Sequence, residues 1–82
     1  MIYAIPDTGE ALHAARREKG LTQNQIAESA AVKQATVSEA ERGADLRVST
    51  LQRIAGALDL RLMLVPRQAF GIVRQVVKEI QG

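Results

Sequence analysis

The sequence predicts a mostly α-helical fold, with five helices and one short C-terminal β-strand in a chain of 82 residues. Three observations predict it. Only Tyr3 and Phe70 are aromatic although 46% of the chain is hydrophobic, so a core must be built from Leu, Ile, Val and Ala, and Leu and Ala are strong helix formers. Apolar residues recur at helical spacing through the middle of the chain. At Leu60 the period changes from 3.6 to 2.

The elements follow in order. Asp7 and Thr8 precede a run of good helix formers, Glu10 to Lys19, and Gly20 stands in the usual stop position, which predicts a first helix over about 8–19. Thr22 with Gln25 three residues later has the form of a capping box and opens a short second helix over about 22–29. A third, Lys33 to Arg42, follows after a tight turn, carries Val37 and Ala40 as inward residues and ends at Gly43. Ser49 reads as the cap of the fourth helix, in which Leu51, Ile54, Ala55 and Leu58 form a buried stripe. Leu60, Leu62 and Leu64 then alternate with Arg61, Met63 and Val65 until Pro66, the pattern of a strand. Its unpaired backbone needs a partner, either Ile2 to Ile5 as a second strand or the same strand of a second subunit. Phe70, Val73, Val76, Val77 and Ile80 return to helical spacing and predict a fifth helix over about 67–80. Residues 1–66 thus read as one domain with a dimerisation strand at 60–65, and 67–82 as a helical extension.

Composition narrows the function. A chain this short buries only about 60% of the surface its unfolded form exposes, so a dimer is the expected source of added stability. Leu60, Leu62, Leu64, Phe70, Val73 and Val77 are the expected dimer contacts. Eleven Lys and Arg against nine Asp and Glu give a net charge of +2, which decides nothing unless the basic residues cluster. The absence of cysteine excludes a disulfide framework, a thiolate metal site and a cysteine nucleophile, and fits a cytoplasmic location. Met1 to Pro6 lacks the basic region of a signal peptide, and no apolar run approaches the roughly 18 residues of a membrane span. No Ser–His–Asp pattern, glycine-rich phosphate loop or metal-ligand spacing is present, so no enzyme activity, cofactor or metal is expected. His13, the one histidine, reads as a surface residue.

Two short helices joined by a tight turn have the form of a helix-turn-helix. Free N–H groups and a partial positive charge at the start of the second helix suit a phosphate, with Thr22 and Gln23 beside it. The outward face of the third helix, Lys33, Gln34, Ala35, Thr36, Ser38 and Glu39, is free of bulky apolar groups and can enter a major groove. Gln34 suits a bidentate contact to adenine, Ala35 or the Thr36 methyl a thymine methyl, Lys33 a guanine or phosphate, and Arg42 a phosphate.

The segments ALHAARREKGLTQNQIAESA and VKQATVSEAERG resemble the XRE-type helix-turn-helix family, which includes Cro and the phage-repressor DNA-binding domains. The resemblance covers about residues 8–58. It implies a phosphate-clamping role for Gln23, base-reading positions for Gln34, Ala35, Thr36, Ser38 and Glu39, and an ion pair between Arg16 and Glu41 that ties the first helix to the third. Ala31 stands where the family often has Gly; if φ is positive there, Ala costs roughly 1–2 kcal/mol. Within the family, KQATVSEAERG followed by VSTLQRIAGALDLRLMLVPR is similar to the HipB antitoxins. That likeness implies a C-terminal strand pairing across a two-fold axis, repression of the protein's own operon, double-stranded operator DNA as ligand and a HipA-like kinase toxin as partner. It also implies a prokaryotic, nucleoid-associated setting. The helix at 67–80 departs from the short tail the likeness would give.

Overall fold

The computed structural model describes residues 8–81. The expectations for Asp7 and for Ile2 to Ile5 lie outside the described residues. Among the described residues there are five helices: α1 (Thr8–Glu18), α2 (Gln23–Ala30), α3 (Gln34–Glu41), α4 (Val48–Ala57) and α5 (Phe70–Gln81), the last entered through a 3-10 turn at Arg67–Ala69. Glu10 in the first turn of α1 and Arg16 and Arg17 in its last turn oppose the helix dipole, so this helix is favoured by charge order as well as by propensity. Thr22 and Gln25 form the capping box at α2: the Thr22 hydroxyl accepts from the Gln25 N–H at 3.1 Å and the Gln25 side chain accepts from the Thr22 N–H at 2.8 Å.

The first four helices end in one way. At Gly20, Ala31, Gly43 and Asp59 the backbone takes positive φ, between 56° and 81°. Each time two N–H groups fold back on the helix end: for α2, Ala31 N–H donates to Glu28 and Val32 N–H to Ala27, at 3.3 and 3.0 Å. This is the left-handed cap that satisfies otherwise orphaned carbonyls. Glycine carries it at two of the four ends, and aspartate, which tolerates the conformation, at a third. Only Ala31 has neither advantage.

Among the described residues ten form the core: Leu12, Ala15, Ile26, Ala27, Ala30, Val37, Ala40, Ile54, Ala55 and Leu58. Half of them are alanine, which lets helices approach closely. Closest of all is the crossing of α1 on α3, where Gly9 is buried and a Cβ at that position would lie 2.7 and 2.8 Å from the carbonyl oxygens of Glu41 and Ala40. The expected stripe on α4 is buried at Ile54, Ala55 and Leu58 and half-buried at Leu51.

Three expectations are corrected. The fourth helix starts one residue earlier than a Ser49 cap would allow, with Arg47 in the cap position and no side-chain cap bond. Lys33, likewise, precedes α3 as an N-cap without a side-chain bond instead of opening the helix. Leu60–Val65 is not a strand: among the described residues there is none, and 60–66 runs without regular structure. A strand exists only through its ladder, and a single chain offers this run no second copy of itself. The apolar stripe expected on the fifth helix exists, but none of it is fully buried: Val73 and Val77 are half-buried, and Phe70, Val76 and Ile80 are 37%, 47% and 79% exposed.

Candidate nucleic-acid interface

Glu41, the last residue of α3, is the hub of the site. Its side chain is only 6% exposed, so burying an ionised carboxylate there requires several donors. α1 supplies two of the residues that meet the need. Arg16 Nε donates to Oε2 at 2.6 Å and Nη2 to Oε1 at 3.1 Å, while Nη1 reaches the Leu21 carbonyl at 2.8 Å. His13 Nδ1 lies 2.7 Å from the same Oε1. α2 supplies the third, since Gln23 Nε2 donates to Oε1 at 3.2 Å. Burial pushes the Glu41 carboxyl up; the hydrogen bonds from Arg16, His13 and Gln23, with the Arg16 charge, outweigh it and hold the group below its ordinary value. The bond to Glu41 raises the Arg16 guanidinium further, against the opposing effect of its own burial. Both groups stay charged at neutral pH.

From this hub the hydrogen bonds run outward. Gln23 Oε1 accepts from Gln34 Nε2 at 2.5 Å, joining the first residue of α2 to the first residue of α3. Lys33, Gln34 and Ala35 are exposed together at the start of α3, and Thr22 is exposed at the start of α2. Thr36, Ser38 and Glu39 are half-buried, while Val37 and Ala40 face the core. Ser38 is not idle, because its hydroxyl accepts from Arg42 Nη1 at 2.5 Å. One exposed face thus combines an amide pair, an ammonium, small apolar groups and a guanidinium, the side-chain types that contact phosphates and base edges.

Residues 12–64 match the helix-turn-helix family. The chain belongs to this family, in its XRE/Cro-type branch. No curated protein matches the chain at a significant level. In this helix-turn-helix protein α2 and α3 are the two helices of the motif, and the family is one of DNA-binding transcription regulators. No helix among the described residues is long and apolar enough to cross a membrane.

The expected dimer residues lie elsewhere. Leu60, Leu62, Leu64, Phe70 and Val73 line an apolar groove of about 350 Å³ between α1, the end of α4, the 60–65 run and α5, and Val77 lies one helical turn beyond Val73. Leu64 is 98% exposed.

Sequence reasoning missed three contributors. His13 reads as surface but sits on Glu41; its i, i+3 spacing to Arg16 puts both on one face of α1 and is the signal that could have found it. Gly9 carries no sequence mark of the close crossing it permits. Arg53 of α4 donates to the Ala31 carbonyl at 3.0 Å and braces the turn, a contact between distant positions that no local pattern reveals.

Proposed function

We propose that this protein is a sequence-specific transcriptional repressor that binds a palindromic operator as a two-fold dimer, with α3 in the major groove of each half-site. The observation that carries the reading is the Gln34–Gln23 pair at the exposed ends of α3 and α2, a coupled amide pair between the element that enters the groove and the element beside the phosphates. Thr22, Lys33 and Arg42 act on phosphates or base edges around it, and Ala35, Thr36, Ser38 and Glu39 complete the reading face. The recognition helices lie about 34–36 Å apart in the dimer, one turn of the duplex. The exposed apolar side chains of α5 and of the 60–65 run support association through that surface. The protein acts without cofactor, metal or catalysis, in the cytoplasm at the nucleoid.

The setting we infer is a toxin–antitoxin operon that the protein represses, with a HipA-like kinase toxin as its second partner. The resemblance of residues 33–43 and 48–67 to the HipB antitoxins supports this. A rival reading is a module that masks a protein partner, favoured by the same exposed face of α5; an ordinary phage or metabolic regulator without a toxin is the other. Neighbouring genes separate the antitoxin from the ordinary regulator, since a kinase-type toxin encoded alongside favours the antitoxin.

The deciding experiment is binding to the protein's own promoter fragment and to a random duplex of equal length across a salt series. A specific complex about a thousandfold tighter supports the repressor. Equal, steeply salt-dependent binding to both means that only phosphates are contacted. Failure to bind either duplex moves the reading to the masking module.

A further inference from the structure

The carboxylate of Glu41 has a consequence for base reading that extends beyond holding α1 to α3. A carboxylate can only accept, so the Gln23 atom that faces it, 3.2 Å away, must be Nε2. Gln23 then has only Oε1 to offer on its other side, and Gln34, 2.5 Å away, must meet it with Nε2. What remains at the tip of Gln34 is one acceptor, Oε1, and one N–H. That pair complements adenine, which presents an N6 donor and an N7 acceptor in the major groove, and mismatches guanine, which presents two acceptors.

We infer that Glu41 is a positioning residue for base reading: it fixes the amide polarity of Gln23 and, through it, of Gln34, so that Gln34 favours adenine over guanine. The inference rests on the reading of α3 as the groove-entering helix. Arg16 makes the argument directional. Its Nε donates to Oε2 at 2.6 Å and its Nη2 to Oε1 at 3.1 Å, so in a Glu41→Gln protein the amide nitrogen gives up the longer contact and takes the Oε1 place, where His13 Nδ1 can accept from it and where it faces Gln23. Gln23 then turns its own oxygen inward and its nitrogen outward. Gln34 accepts with Oε1 and presents both N–H groups, a pattern that suits guanine.

The test is selection of bound duplexes from a randomised pool by the full chain and by three variants, followed by sequencing. The wild type should enrich a motif with adenine at a position whose preference disappears in Gln34→Ala. At that position Glu41→Gln should lower the adenine-to-guanine ratio at least about fivefold while the helical circular dichroism is unchanged, an effect that a purely structural role would not produce. Gln23→Met leaves Arg16 and Glu41 paired and removes the relay together with the amide beside the phosphates, a loss that weakens binding to all sequences alike; it should erode the same ratio, and it decides the matter if Glu41→Gln does not fold. An adenine preference retained in folded Glu41→Gln or in Gln23→Met overturns the inference while the repressor reading stands. If Gln34→Ala alters no position, the inference falls in the same way. If the wild type enriches no sequence at all, the repressor reading itself has failed and the inference falls with it.

Discussion

Replacing Ala31 by glycine should stabilise the protein, although it removes a methyl group from the turn between the two motif helices. Ala31 has φ 56° and ψ 46°, the left-handed conformation in which an L side chain crowds the following carbonyl, at a cost of roughly 1–2 kcal/mol. Its side chain is exposed, so truncation sacrifices little apolar burial. Against the relief of strain stands the greater freedom of glycine in the unfolded chain, about 0.4–1 kcal/mol. The difference leaves a gain of about 1 kcal/mol, which for a domain of this size is a rise in melting temperature of roughly 4–8 °C. The contacts that fix the turn survive, because the Ala31 N–H to Glu28 and the Arg53 bond to the Ala31 carbonyl involve backbone atoms. Thermal unfolding followed by circular dichroism at 222 nm measures the shift, with Gly20→Ala as the inverse control, since Gly20 has φ 68° and open space around its missing Cβ. A melting temperature that is unchanged or lower in Ala31→Gly, beside a lower one in Gly20→Ala, would refute the assignment of strain to this turn.

Gly9→Ala should do the opposite: a Cβ 2.7 Å from a backbone carbonyl forces α1 off α3, a loss of about 1–3 kcal/mol readable by denaturant unfolding, and wild-type stability would show that the crossing is looser than described. Stability should fall at acid pH through Glu41. Its folded-state value lies below the ordinary carboxylate range, so its contribution is complete above the unfolded value of about 4.3 and disappears as pH falls through the folded one; urea unfolding across pH 2–6 should show a slope that Glu41→Gln flattens. Truncation after Pro66 removes α5, which contributes nothing to the buried core, so dilute protein should keep its helical melt while sedimentation shows weaker self-association. A melt that collapses on truncation would place α5 in the folding unit.

The helices were legible because their signals are local. Thr22 with Gln25, Gly20 and Gly43, and the stripe Ile54, Ala55 and Leu58 each lie within a few residues of what they determine. The start of α4 was not, because Ser49 resembles a cap while the chain simply enters the helix one residue sooner, without any side-chain cap. The run at 60–65 shows a different limit. Alternation of Leu with polar or apolar neighbours describes two faces, but a ladder depends on a second backbone, which the pattern does not contain. In the site, spacing brought Gln23 and Gln34 to the starts of adjacent helices, yet their direct bond and the shared carboxylate behind them join residues up to 28 positions apart.

The protein divides its tasks between two sets of elements. The polar network from His13 and Arg16 through Glu41 to Gln23 and Gln34 spans α1, α2 and α3 and centres on one buried carboxylate. The apolar groove uses another side of α1 with the end of α4, the 60–65 run and α5. A core half of alanine lets the helices of the two sets approach closely. α1 is the element common to both, with Leu12 toward the groove and the core and His13 and Arg16 toward Glu41.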